Sequence, residues 1–247
     1  MHSERVHQTL FGSPVRVLEE SGAYVLVEDP IGYRGWAHQG GLAVINRSQF
    51  SAARTGRLAV VRALQARLHE VDGTIAGPPH IVYYGTIVAL KGVAGSMVMI
   101  ATPDGTRYAI KQAQIAPING KRDRVPTGAA LVREARRFLG APYLWGGVST
   151  PGFDCSGLVH TICARFGISV PRDTADQIGA GRHVERAEVR TGDLLFFDRH
   201  VGFAAGRGRL IHSSLAGQGV REQSLSPDDA DYRIDLDRTY REARRIV

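Results

Sequence analysis

Cys155 is the residue around which a chemistry can be assembled. It stands in the stretch Phe153-Asp154-Cys155-Ser156-Gly157-Leu158-Val159, directly after the turn-rich Gly146-Gly147-Val148-Ser149-Thr150-Pro151-Gly152. Apolar residues then recur at Leu158, Val159, Ile162, Cys163 and Phe166, and Gly167 supplies a stop. This spacing predicts a helix whose first turn carries the Cys155 thiol. Unpaired backbone N–H groups and the positive end of the helix dipole collect there, which favours the nucleophilic thiolate. A buried cysteine serving as a small hydrophobe fits the same residue taken alone. The histidines downstream decide between the two.

Asp193-Leu194-Leu195-Phe196-Phe197 is a short β-type run. It is followed by His200-Val201-Gly202-Phe203-Ala204-Ala205, the turn Gly206-Arg207-Gly208, and Arg209-Leu210-Ile211-His212-Ser213-Ser214. Two apolar runs around a glycine-containing three-residue loop predict a β-hairpin. If Ala205 pairs with Arg209, Gly202 lies opposite His212 and His200 is its diagonal neighbour. Side chains alternate with period two, so His200, Gly202 and His212 share a face, and the glycine leaves room for two imidazoles. A base and a group that orients it are what a cysteine nucleophile requires. Zinc is the competing use of Cys and His, but no second Cys or His stands at short ligand spacing from Cys155, so no metal or other cofactor is expected.

Six segments in order carry a resemblance: Pro142-Tyr143-Leu144-Trp145-Gly146-Gly147, the Phe153–Val159 stretch, Pro171-Arg172-Asp173-Thr174-Ala175-Asp176-Gln177, Gly192–Phe197, His200-Val201-Gly202 and Ile211-His212-Ser213. Together they resemble the motifs of NlpC-type papain-like cysteine peptidases, bacterial cell-wall endopeptidases, over roughly residues 128 to 247. The resemblance implies that Cys155 is the nucleophile, His200 the general base, His212 the group orienting it, and Tyr143 the tyrosine beside the thiolate near the oxyanion site.

The elements that must position these residues form an α+β core, a helix packed on an antiparallel sheet, over residues 123–247. An amphipathic helix from about Thr127 to Leu139, with Leu131, Ala135, Phe138 and Leu139 on one face, opens it. Pro227 to Val247 reads as a charged tail with Tyr232, Ile234, Leu236 and Tyr240 as packing points. Upstream, residues 1–48 read as short strands with Gly and Pro turns, a small all-β barrel. Tyr33-Arg34-Gly35-Trp36 there resembles a strand of bacterial SH3-like domains, with Trp36 a core aromatic. Residues 49–122 read as a second, divergent SH3-like barrel, with breaks at Gly77-Pro78-Pro79, a hairpin turn at Pro103-Asp104-Gly105 and a polar linker at Asn119–Arg124. Leu58–Leu64 has helix spacing but β-branched residues, and a strand is favoured.

The chain has 247 residues, a net charge of +7 and only two cysteines. No disulfide framework is implied, and Cys155 and Cys163 sit on different turns of one helix. No apolar run reaches the length of a membrane span. The basic balance lacks a stripe with interleaved aromatics, so nucleic acid is not the expected partner; a peptide carrying several carboxylates suits it as well. The resemblance to the branch with two N-terminal SH3-like domains implies cleavage between γ-D-Glu and the L-diamino acid of peptidoglycan stem peptides with a free N-terminal L-Ala. Peptidoglycan-derived muropeptides are then the partners. An ammonium needs a carboxylate cage, and the resemblance points to Asp154 and Ser156, with Tyr33 and Glu4 from the first domain. Met1-His2-Ser3-Glu4-Arg5-Val6 has no charged-then-apolar leader, and a cytoplasmic protein of cell-wall recycling is the reading. A secreted endopeptidase acting on intact wall is the alternative. A non-enzymatic wall binder would lack the Cys and His residues, and an acyltransferase on the same core would carry an apolar anchor.

Overall fold

The structure, a computed structural model, describes residues 4–54, 56–71, 80–102, 105–118 and 126–247. The Gly77-Pro78-Pro79 break, the Pro103-Asp104 step of the expected turn and the Asn119–Arg124 linker lie outside the described residues. The chain divides into two compact units, one of Thr9–Lys121 and one of Met1–Gln8 with Arg122–Val247. No helix among the described residues is long and apolar enough to cross a membrane.

The first unit is all-β apart from short helices. Strands β1 (Arg16–Ser21), β2 (Tyr24–Glu28) and β3 (Arg34–His38) form an antiparallel sheet in that order. Helix α1 (Arg47–Arg54) follows, a helix the sequence reading does not anticipate. Asn46 caps it: its Oδ1 accepts the Gln49 N–H, while Gln49 Oε1 accepts the Asn46 N–H, a reciprocal pair that stands in for a hydrophobic start signal. Then come β4 (Leu58–Val61), β5 (Gln65–Arg67), β6 (His69–Glu70), β7 (Ile81–Tyr83), β8 (Ile87–Ala94), β9 (Met97–Ala101), β10 (Arg107–Lys111) and β11 (Ile115–Pro117). A six-stranded sheet runs β11-β4-β8-β9-β10-β6, and β5 pairs with β7. Leu58–Val61 is thus a strand, as its β-branched residues argue. Alternation puts Ala59, Val61, Val98, Ile100, Tyr108 and Ile110 inside. Trp36, read as core, is 50% exposed, because β3 alternates and Gly35 and Ala37 are the half-buried positions.

The second unit begins with α2 (Gly128–Arg136), capped by Thr127 Oγ1, which accepts the Ala130 N–H. Leu131, Val132 and Ala135 are buried, and Phe138 packs edge-on to Phe153 with centroids 5.1 Å apart. Leu139, expected on that face, is 46% exposed, because the helix ends at Arg136 and the following residues turn. Strands β12 (Val148–Ser149) and β13 (Gly152–Phe153) form a small hairpin before α3 (Cys155–Arg165). Then follow α4 (Thr174–Gln177), β14 (Arg182–Val184), β15 (Leu194–Phe197), β16 (His200–Gly206), β17 (Arg209–Ser214), β18 (Gly219–Ser224), α5 (Ile234–Arg238) and β19 (Tyr240–Arg245). The sheet order is β14-β19-β15-β16-β17-β18, antiparallel throughout, and α3 lies against β16 and β17. This is the α+β core with a helix on an antiparallel sheet. The charged tail is not a tail: Tyr240–Arg245 inserts between β14 and β15 with Ala243 fully buried.

The β16–β17 hairpin sets the register of the site. Phe203 faces Ile211 and Ala204 faces Leu210, then a bulge at Ala205 brings Gly206, not Ala205, opposite Arg209. The bulge lies beyond the paired residues, so Gly202 still sits across from His212. A Cβ built on Gly202 would lie 2.8 Å from His212 Cβ and 2.7 Å from the Ile211 carbonyl oxygen, so only glycine fits there.

Candidate active site

Cys155 opens α3, and Asp154 is its N-cap, with Oδ1 accepting the Gly157 N–H at 2.6 Å. The thiol is partly exposed while the helix behind it, from Ser156 through Val159, is buried. Around the sulfur are the Thr174 hydroxyl at 3.7 Å and the backbone N–H groups of Val201 and Ser156. Val201 follows His200 directly, so the strand carrying the first histidine lies against the sulfur. Tyr143, half-buried, bridges to Phe153. Its hydroxyl is pushed up to about 12 by burial first and then by the neighbouring Cys155 and Asp154.

His200 begins β16, and His212 is fully buried in β17. Their rings stand edge to face, centroids 5.0 Å apart, with His200 Nε2 2.7 Å from His212 Nδ1. The diagonal arrangement read from the period-two pattern is what the hairpin forms. Burial pushes His200 down to about 3, with His212 and Arg233 adding to it. Burial also pushes His212 down to about 4. The helix start argues for a thiolate at Cys155, yet burial pushes the thiol up and the Asp154 charge adds to it. Thr174 and the Val201 and Ser156 N–H groups oppose this in part. Burial and the Asp154 charge thus work against the helix-end field at the sulfur, while the imidazoles are held toward their neutral form by burial.

The two residues flanking the cysteine are engaged within the fold. Arg172, with only 2% of its side chain exposed, donates to Asp154 Oδ1 (3.0 Å), Asp154 Oδ2 (2.7 Å) and Ser156 Oγ (2.9 Å). Gly146 N–H donates to Asp154 Oδ2 at 2.8 Å. Asp154 thus receives one backbone donor on each oxygen and a two-pronged guanidinium, the arrangement of a structural ion pair. Gln177 ties the same loop down, its Nε2 donating to the carbonyls of Ser156 and Pro171 at 3.0 and 2.8 Å. Asp173, beside Arg172, keeps 47% of its side chain exposed.

Residues 4–8 pack on this unit. Arg172 Nε reaches His7 Nδ1 at 3.1 Å, and Gln8 Oε1 accepts from the Val148 N–H and the Ser149 hydroxyl at 3.0 and 3.1 Å. A Cβ on Gly146, whose φ is +72°, would come within 2.7 Å of the Arg5 carbonyl oxygen. Glu4 is exposed at the start of this segment. Tyr33 belongs to the other unit, half-buried, its N–H donating to Asp29 Oδ1 at 2.8 Å. The structure therefore gathers Cys155, Tyr143 and the two strands of His200 and His212, and adds Thr174, Arg172, His7 and Gln8. Nothing in their spacing announces these last four: Arg172 is a buried charge far along the chain from the carboxylate it meets, and His7 and Gln8 lie more than 130 positions from theirs.

The NlpC/P60 family model matches residues 140–237, which span every element of the site from Gly140 through β18. The γ-D-glutamyl-L-lysine dipeptidyl-peptidase of Bacillus subtilis (strain 168) is 30% identical over 235 residues, covering 89% of this chain and 75% of that protein. The protein of the same name from Bacillus cereus (strain ATCC 10987 / NRS 248) is 29% identical over 231 residues, 86% of this chain and 68% of its own. Among solved structures, that of an NlpC/P60 family protein from B. cereus ATCC 10987 superposes with a TM-score of 0.87 at 28% identity, covering 98% of this chain and 82% of that one.

Proposed function

This chain belongs to the NlpC/P60 family and is a cysteine peptidase, and we propose that it hydrolyses the bond between γ-D-Glu and an L-diamino acid in peptidoglycan stem peptides bearing a free N-terminal L-Ala. The observation that carries the chemistry is the hydrogen bond between His200 Nε2 and His212 Nδ1 on adjacent strands, 2.7 Å long, with the residue after His200 touching the Cys155 sulfur.

His200 accepts the thiol proton as sulfur attacks the γ-carbonyl carbon of D-Glu. A C–S bond forms and the carbonyl oxygen becomes an oxyanion. We take the Tyr143 hydroxyl, held protonated by burial and by the neighbouring Cys155 and Asp154, and a backbone N–H at the start of α3 as the donors to that charge; such a donor contributes on the order of 3 kcal/mol. Collapse breaks the C–N bond, and the imidazolium gives its proton to the departing diamino acid amine. Water, deprotonated by the same histidine, then releases L-Ala-γ-D-Glu from sulfur. His212 holds the His200 ring through these steps.

The relatives are named dipeptidyl-peptidases, and removing an N-terminal dipeptide calls for recognition of its ammonium. Asp154 and Ser156 are taken up by Arg172, so we propose that the ammonium is met by carboxylates other than Asp154. Glu4 is exposed on the segment packed at Gly146, and Asp173, which lies 3.7 Å from Arg172 Nη1 but keeps 47% of its side chain exposed, directly precedes the Thr174 that touches the sulfur. This reading favours small free muropeptides over intact wall. Mass spectrometry of digests tests it: L-Ala-γ-D-Glu-L-Lys should be cut to the dipeptide and lysine, its N-acetyl form should resist, and Cys155→Ala should do nothing to either. Equal cleavage of acetylated peptide, or release of peptides from whole sacculi, would favour the wall-degrading alternative.

A further inference from the structure

Beyond the paired histidines lies a chain of contacts that decides which ring nitrogens carry hydrogens. His212 Nε2 stands 3.0 Å from Gln223 Oε1, on β18, and the same oxygen is 2.7 Å from Arg233 Nη1. Gln223 is the diagonal neighbour of His212, since His212 pairs with Arg221. Arg233 is brought alongside by its own backbone, whose N–H donates to the Ser224 carbonyl at 2.8 Å. Its guanidinium is fixed by Asp235, with Nε to Oδ1 at 2.8 Å and Nη2 to Oδ2 at 2.6 Å, and only 15% of the side chain is exposed.

We propose that Arg233, acting through the Gln223 amide, is a positioning residue that fixes the tautomers of both histidines so that His200 keeps its lone pair on Nδ1. A guanidinium only donates, so the Gln223 atom it meets is the carbonyl oxygen. That oxygen can only accept, so His212 Nε2 carries a hydrogen. A neutral imidazole has one N–H, which makes His212 Nδ1 an acceptor and His200 Nε2 its donor. The lone pair of His200 is left on Nδ1, the nitrogen free of His212, where a thiol proton can be received. Burial keeps both rings neutral, as the one-hydrogen count requires, and the charges bearing on the pair are Arg233 and Asp235.

Without Arg233 the amide can turn over and offer its NH2 group to His212 Nε2. Every bond in the chain then reverses, and His200 Nδ1 acquires the hydrogen. The reversed chain makes as many hydrogen bonds as the native one, so the two histidines alone do not choose between them. The cation at the end of the row makes the choice. The inference rests on Cys155 and His200 being the reacting pair, but its primary readout needs no substrate.

Nitrogen-15 NMR of histidine-labelled protein near neutral pH reads the tautomers directly. In the unmodified protein both His200 and His212 should carry hydrogen on Nε2. Arg233→Met should bring in the second tautomer at both rings and lower kcat on L-Ala-γ-D-Glu-L-Lys by the fraction of His200 that loses its lone pair, with KM within about twofold. Arg233→Lys, still a donor-only cation, should restore the single tautomer and kcat. Hydrogen found on His212 Nδ1 in the unmodified protein overturns the proposal, as does an Arg233→Met protein with unchanged spectrum and kcat. Should Arg233→Met not fold, the unmodified and Arg233→Lys spectra still decide. A wrong substrate would silence the kinetics while leaving the spectra intact, which separates the two failures.

Discussion

Replacing Asp154 by Asn removes one charge and almost no volume, and asparagine caps a helix as well as aspartate. What changes is the environment of Arg172. Its guanidinium, 2% exposed, loses its close counter-ion and is left with Asp173 at 3.7 Å, and the amide must turn its NH2 group either toward the Gly146 N–H and Arg172 Nη2 or toward the Gly157 N–H and Arg172 Nη1. Breaking a buried pair from one side costs about 3–5 kcal/mol, because the surviving charge is left desolvated. In a chain of this size that is roughly a 10 °C fall in Tm. Arg172→Met should cost less, since Asp154 would keep the Gly157 and Gly146 N–H groups and the positive end of α3. The double variant should recover most of the Asp154→Asn loss, having no buried charge to strand. Calorimetry on the four proteins closes the cycle. Kinetics add a second discriminator: among folded molecules, Asp154→Asn should slow free-amine and acetylated peptides by the same factor. An Asp154→Asn protein within about 1 kcal/mol of the parent would refute the structural assignment. So would a loss confined to free-amine peptides, which would return Asp154 to the ammonium.

Two further outcomes follow from the histidine pair. In the folded protein His200 and His212 stay neutral down to about 3 and about 4, while an unfolded imidazole charges at about 6.5. Between those values the unfolded chain binds more protons, so stability is full above about 6.5 and is lost as pH falls through that window, by on the order of 3 kcal/mol from His212 alone. Denaturant titrations at a series of pH values check this, and a flat profile across the window contradicts it. Gly202→Ala should force a Cβ against His212 Cβ and the Ile211 carbonyl, costing about 1–3 kcal/mol and lowering kcat as the imidazoles part; unchanged Tm and turnover would show that the strands give way more easily than their contacts imply.

Much of the peptidase unit is legible in the residues. The helix at Cys155 and the hairpin at His200–His212 carry their own periodicities, and Gly202 announces the close approach before any coordinates do. Strands β18 and β19 are not legible. Tyr240–Arg245 buries only Ala243 completely, so its arginines read as a solvated tail, and its place is fixed by pairing to β14 and β15 rather than by its own pattern. What opposes a thiolate at Cys155 is hidden for a related reason: a helix start is visible in sequence, but the desolvation that works against it is a property of the packed unit. Asp154 likewise reads as an exposed carboxylate beside a nucleophile until Arg172 arrives from 18 positions downstream.

The segment at residues 4–8 makes the peptidase half a composite of two distant pieces of chain. About a hundred residues, folded as the other unit, separate Gln8 from the next part of its own unit. On the ribosome, His7 and Gln8 emerge well before Val148, Ser149 and Arg172 and wait for them. A gene fragment starting near residue 126 would therefore express a protein with an orphaned Val148 amide and an Arg172 missing one of its acceptors. Excision of the C-terminal half is not a clean cut, and the upstream half cannot be swapped as an interchangeable bead without carrying those few leading residues along.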